Sequence, residues 1–228
     1  MNRLQFFLLA GPNGAGKSTY SIDFVPENVF YFNGDEIYAE LLRRYPNYDP
    51  EKLKGGVPSR LEKEIDVALS QKKDFAFESN FSTDMAAEIT KIFKDAGYQT
   101  NLIYFGLDDI NLAASRVTDR VALGKHDVSP EDIKFNFDEG IIRVNNHFSL
   151  FDVIRFVDTK NLGTAQTIAL YQHDTASCQI RITAAKWFNI YFSDNLKKYA
   201  NNKASKLAQI KKPQIQINPP KKGRGFRR

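Results

Sequence analysis

Apolar residues fall into short runs separated by longer amphipathic stretches, and the two alternate along most of the chain. Leu4–Ala10 is a compact apolar run that gives way to glycine, the pattern of a strand buried on both faces. Residues 16–24 predict a helix stopped by Pro26, Val29–Asn33 an aromatic-rich second strand, and Asp35–Arg44 a helix ended by Pro46. Over Pro58–Lys73 the apolar positions Leu61, Ile65, Ala68 and Leu69 recur at helical spacing. A third strand follows at Asp74–Glu78, then a helix over Thr83–Ala96 with Gly97 placed to cap it. Thr100–Leu107 reads as a fourth strand, Ile110–Leu123 as a helix, Gly124–Pro130 as a polar loop, Pro130–Leu150 as a helix and Phe151–Asp158 as a fifth strand. Strands spaced by helices in this way predict an α/β fold, a parallel sheet with helices on both faces.

After Asp158 the alternation stops. Thr167–Tyr171 and Cys178–Thr183 predict two short strands, a small C-terminal β-hairpin, and Ala184–Tyr199 a closing helix with Trp187, Phe188, Tyr191 and Phe192 packed on its inner face. From Asn201 the composition turns to Lys, Asn, Gln and Pro, too polar to support a core. The expected organisation is one domain over residues 1–200, with the hairpin and helix in 157–200, and a basic, flexible tail over 201–228. Two very small domains would also suit the length of 228 residues.

Charge sharpens that division. The net charge of +5 is not spread evenly: nine Lys/Arg and no acid lie from Lys203 onward, which leaves 23 basic against 27 acidic residues before it, a balance of −4. The body is mildly acidic and the tail carries the whole positive excess. Such a tail either binds nucleic acid or anionic lipid through counterion release, or is a solvated extension. The single cysteine, Cys178, forms no internal disulfide and reads as a small buried residue. With three scattered histidines it makes no zinc site. The apolar start of the chain is too short for a signal peptide and no run approaches membrane-spanning length, so a cytoplasmic protein is expected.

The strongest chemical signal is Gly11-Pro12-Asn13-Gly14-Ala15-Gly16-Lys17-Ser18-Thr19, a phosphate-binding loop flanked by an apolar strand and a helix. Its glycines let successive backbone N–H groups turn inward on a phosphate, and the following helix adds its dipole. Lys17 is expected on the β- and γ-phosphates of ATP and the Ser18 hydroxyl on Mg²⁺. The wording of the loop resembles that of ABC-type ATPases, but the chain lacks an LSGGQ-like signature, and Arg155 interrupts the strand that would end in Asp-Glu.

Three further segments resemble the zeta-toxin-like kinases, in particular their short stand-alone bacterial branch: Phe32-Asn-Gly-Asp35, Phe75-Ala-Phe-Glu78-Ser-Asn-Phe-Ser82, and Arg116-Val-Thr-Asp-Arg120-Val-Ala-Leu-Gly-Lys-His126-Asp-Val-Ser-Pro130. The resemblance covers about Leu4 to Asp158 and implies a P-loop kinase-like three-layer sandwich around a five-stranded parallel sheet. It also implies transfer of the ATP γ-phosphoryl to a hydroxyl of a small molecule, a UDP-linked amino sugar in characterised toxins, and an antitoxin-like protein partner.

The residues support parts of this independently. Asp35, at the carboxyl end of a strand, can orient the acceptor hydroxyl and take its proton, or simply cap the next helix. Glu78, at another strand end, can hold Mg²⁺-bound water or a substrate hydroxyl, or be an exposed strand-end charge. Asn80 stands near where relatives carry Thr and is expected to contact substrate. Arg116 and Arg120, four apart on one helix face, can converge on the transferring phosphoryl or pair with surface acids such as Asp119. The loop with Lys125 and His126 reads as a lid, in which His126 either touches phosphate or fixes the lid's shape. Relatives carry an arginine pair a few residues after the lid proline; here Lys134 can supply one positive charge, without the bidentate fork. Two other readings remain from the residues: a nucleotide-dependent nucleic-acid protein or polynucleotide 5′-kinase using the tail, and an ATP binder with little turnover.

Overall fold

A computed structural model describes residues 3–108, 110–122, 128–161, 163–181 and 184–210. Five strands run parallel: β1 (Gln5–Ala10), β2 (Phe30–Phe32), β3 (Phe75–Ser79), β4 (Gln99–Gly106) and β5 (Val153–Asp158). Two more join them: β6 (Gln166–Gln172) pairs antiparallel with β5 and β7 (Ser177–Ile180) antiparallel with β6, giving a seven-stranded sheet in the order β2-β3-β1-β4-β5-β6-β7. The expected small hairpin is therefore no separate appendage. Its backbone groups complete the ladder along the β5 edge, and the sheet holds two strands more than the five predicted.

The helices are α1 (Lys17–Tyr20), α2 (Gly34–Arg44), α3 (Pro50–Gln71), α4 (Met85–Asp95), α5 (Ile110–Ala122), α6 (Pro130–Asn146), α7 (Lys186–Tyr191) and α8 (Ser193–Ile210). Alternate side chains of β1 leave the sheet in opposite directions, as strand geometry requires. Phe6, Leu8 and Ala10 enter one core with Leu61 and Ile65 of α3, Ile89 and Phe93 of α4, and Trp187, Phe188 and Phe192. Leu9 enters the other with Ala15, Val25, and Ala113 and Val117 of α5. Helices thus cover both faces, and the three-layer sandwich expected from the alternation is the fold.

Three elements depart from the predicted bounds. Helix α3 starts at Pro50, because the Asp49 side chain accepts from the Glu51 N–H and a proline fits the first turn; Pro58 then lies inside it. The helix after the phosphate loop holds only four α-helical residues before a 3₁₀ turn over Ser21–Asp23. The closing helix divides at Phe192 into α7 and α8, with Trp187, Phe188 and Phe192 at 1% exposure or less. Helix α8 runs through Ile210; the remainder of the expected tail, residues 211–228, lies outside the described residues.

Candidate functional site

The connection from β1 to β2 runs to one side of β1 and that from β3 to β4 to the other, so the sheet switches direction beside β1, where open α/β sheets form their crevice. The phosphate loop leaves β1 at this point. Gly11 has φ +140°, and a Cβ there would stand 2.2 Å from the Phe105 carbonyl oxygen; Gly14, at φ +75°, would meet the Ala113 carbonyl at 2.6 Å. Only glycine lets the loop pass this close to β4 and α5. With α1 so short, anion binding here rests on the loop's own amides and on Lys17 more than on a helix dipole.

Lys17 is 7% exposed, its ammonium donating to the carbonyls of Gly11 at 2.8 Å and Pro12 at 3.1 Å and to Asn80 Oδ1 at 2.9 Å. A buried cation must be met by acceptors in this way. The contact joins the phosphate loop to the segment after β3, and Lys17, Asn80 and Asp35 line one small cavity together with Asn13, Asn33 and Glu78.

The register of the sheet assembles the rest. Leu9 pairs with Glu78, and Phe32 with Phe77, so Glu78 lies between the end of β1 and the end of β2. Tyr31 and Asn33 alternate about Phe32 and emerge on the same face as Glu78. Glu78 accepts from the Ser18 hydroxyl at 2.9 Å, from Asn33 Nδ2 at 3.1 Å and from the Tyr31 hydroxyl. Burial first, then the Glu78 charge, push the Tyr31 phenol far above its ordinary value, so it stays a donor. A hydroxyl beside a carboxylate, with an ammonium on the same loop, can hold a polyphosphate and a hard divalent cation. Among the described residues no cluster of three or more His, Cys, Asp or Glu offers a metal cage.

Asp35 is not the cap of α2. Asn33 is: its Oδ1 accepts from the N–H groups of Asp35 and Glu36. Asp35 sits one residue inside the helix, in the cavity lining. Neither Tyr31 nor the Asn33 of Phe32-Asn-Gly-Asp35 has a role predicted from sequence, although Asn before Gly-Asp at a helix start is a recognisable cap signal.

Arg116 reaches the phosphate loop at Gly14, whose carbonyl it meets at 3.4 Å, and donates to the carbonyls of Thr159 at 2.8 Å and Lys160 at 2.9 Å. Thr159 in turn donates to the Ala15 carbonyl at 2.9 Å, so the segment after β5 is tied to the loop from two sides. Arg120 belongs to α5, but its side chain, like His126 and the rest of 123–127, lies outside the described residues. Lys134 is not gathered into the cavity: it is exposed on α6 and pairs with Asp138. The residue of α6 that does reach the loop is Asn136, which donates to Asn13 Oδ1 at 2.8 Å and accepts from the Ser82 hydroxyl at 2.6 Å. No helix among the described residues is long and apolar enough to cross a membrane.

Compared with known proteins, residues 3–175 match the family model described as Zeta toxin. No curated protein matches the chain. A chain from the PezAT chromosomal toxin–antitoxin system of Streptococcus pneumoniae is 17% identical, with a TM-score of 0.56 over 92% of this chain and 88% of that one. A chain of the AvrRxo1-ORF1:-ORF2 structure with ATP is 14% identical, with a TM-score of 0.63 over 91% and 76%. A chain of the Pnkp1/Rnl/Hen1 RNA repair complex is 14% identical, with a TM-score of 0.52 over 64% and 47%. At these identities the likeness is one of fold.

Proposed function

The chain belongs to the zeta toxin family, and from that premise we propose that it is an ATP-dependent phosphotransferase that moves the γ-phosphoryl to a hydroxyl of a small molecule, with a nucleotide sugar as the leading acceptor class. The observation that carries the reading is the meeting of Lys17, Ser18, Asp35 and Glu78 at the carboxyl ends of β1, β2 and β3. In the proposed reaction Lys17 exchanges its carbonyl partners for β- and γ-phosphate oxygens, while the loop amides hold the polyphosphate chain. The donor set of Ser18 and Glu78 fits Mg²⁺, which supplies neutralisation of phosphate charge. Asp35 orients the acceptor hydroxyl and takes its proton as the oxygen attacks the γ-phosphorus and the bridging oxygen leaves with ADP. Asn80 is the proposed contact to the acceptor, and Arg116 with Arg120 the source of positive charge near the transferring group. Lys134, paired away from the cavity, has no part in the proposal.

A neutralising protein partner belongs to the same reading, supported by family membership and by the fold likeness to a chain of a toxin–antitoxin system. The acidic balance of residues 1–202 disfavours a nucleic-acid substrate for the domain. The test is transfer of label from γ-labelled ATP, with Mg²⁺, to a panel of nucleotide sugars and simple polyols. Label on one of the sugars is the expected result; label on none of them sinks the assigned acceptor class.

A further inference from the structure

The aromatic-rich strand β2 places a tyrosine where packing alone has no use for its hydroxyl. The Tyr31 ring lies against the core that contains Leu9 and Ala76, and a phenylalanine would fill that space equally. The hydroxyl instead donates to Glu78 Oε2, which also accepts from Ser18 at 2.9 Å and Asn33 at 3.1 Å. One carboxylate oxygen offers two lone pairs, which the Tyr31 and Asn33 donors suffice to fill. The other oxygen, Oε1, lies 3.2 Å from the same Ser18 Oγ, the longer arm of one shared contact, since the hydroxyl has a single hydrogen. The two oxygens of Glu78 are thereby made unequal: Tyr31 and Asn33 both donate to Oε2, and neither donates to Oε1.

We propose that Tyr31 is a positioning residue, which with Asn33 anchors Glu78 through Oε2 and leaves Oε1 as the oxygen that works with Ser18 on the divalent cation of the bound nucleotide. This rests on the nucleotide-binding reading of the site. The sheet explains why the anchor comes from β2: the Phe32–Phe77 register sets Tyr31 on the same face as Glu78 and holds it in the backbone ladder, and Asn33 follows directly after the strand. Asn33 also caps α2, so its replacement would disturb Asp35 as well. Tyr31 caps no helix, and Tyr31→Phe removes one oxygen atom while keeping the ring.

The test uses the full chain and a fluorescent ATP analogue, titrated first in EDTA and then with Mg²⁺. Loss of a group that orients a metal-site residue typically costs about 10- to 100-fold in metal affinity. Tyr31→Phe is therefore expected to raise the Mg²⁺ half-saturation by roughly that factor, with metal-free nucleotide affinity unchanged. Where transfer is measurable, kcat falls and the KM for ATP at saturating Mg²⁺ stays as in the wild type. In a Glu78→Gln background the same change is expected to add nothing, since coupled residues fail additivity. Wild-type Mg²⁺ dependence in Tyr31→Phe overturns the inference, and so does an equal loss in the Glu78→Gln background, which would mark a general structural effect. The binding arm needs no acceptor, so an unidentified acceptor leaves this result readable. A wild-type protein that binds no nucleotide overturns the functional reading and this inference with it.

Discussion

Along one edge of the sheet, the carboxyl ends of β1–β3 and those of β4 and β5 are finished in opposite ways. At β1–β3 the side chains are polar and bond to one another: Ser18, Asn33 and Tyr31 on Glu78, and Lys17 on Asn80. At β4 and β5 the edge is sealed by Trp187, whose ring fills the space that a Cβ on Gly106 would enter at 2.4 Å and whose indole N–H donates to Asp158 at 3.0 Å. Phe188 and Phe192 continue the seal against Phe156. Both ends are rich in contacts, yet they serve different ends. The sealed end removes apolar area from water and contributes stability. The polar end gathers charge that hydrophobic packing cannot use, and it is there that we place the proposed site. The segment after β5 bridges the two, with Thr159 and Arg116 fastening it to the phosphate loop.

The comparison can be broken at either end. Trp187→Ala should have the largest effect, about 3–5 kcal/mol of stability, because a fully buried indole leaves a cavity between β4 and α7. For a chain of this size that lowers the melting temperature by roughly 6 to 20 °C. Nucleotide affinity of the folded protein should be unchanged; a loss of affinity larger than the loss of stability would show that the two ends are coupled. Lys17→Ala should do the reverse. Charged hydrogen bonds to phosphate are worth about 1.5–3 kcal/mol, so ATP should bind roughly 10- to 100-fold more weakly by calorimetry. Unaltered ATP affinity would place the nucleotide elsewhere.

Smaller effects sharpen the boundary of the site. Asn136→Ala removes two hydrogen bonds that fasten α6 to Asn13 and Ser82, so about 1–2 kcal/mol should be lost in chemical denaturation. ATP affinity should fall a few-fold with it, since the loop is less well held; full retention would make the link purely structural. Lys134→Ala breaks an exposed pair one turn apart on α6, and should cost about 0.3–0.5 kcal/mol with no change in transfer rate. A clear drop in rate would bring Lys134 back into the site.

What was legible in the sequence was local. The phosphate loop, the strands and the helices on both faces follow from spacing within ten or twenty residues, as does the aromatic face from Trp187 to Phe192. The roles of Tyr31 and Asn33 are not local. They arise because β2 pairs with β3, 40-odd residues away along the chain, in a register that no single segment records. Asn136 reaches Asn13 only once α6 has packed against the loop. Helix α3 begins eight residues before the predicted Pro58, because the cap at Asp49 and Pro50 outweighs the Gly55, Gly56 and Pro58 that lie within it. The hairpin's union with the sheet depends likewise on an antiparallel pairing to β5 that composition does not specify.

Asp35→Asn tests most directly the claim that the polar end delivers a phosphoryl group to a hydroxyl. The substitution preserves shape and the Asn33 cap while removing the proton acceptor. Transfer of label from γ-labelled ATP to the acceptor should fall about 10²- to 10⁴-fold, with ATP binding at wild-type affinity. Transfer at the wild-type rate would contradict the account, because the proton would then leave by a route in which Asp35 has no part.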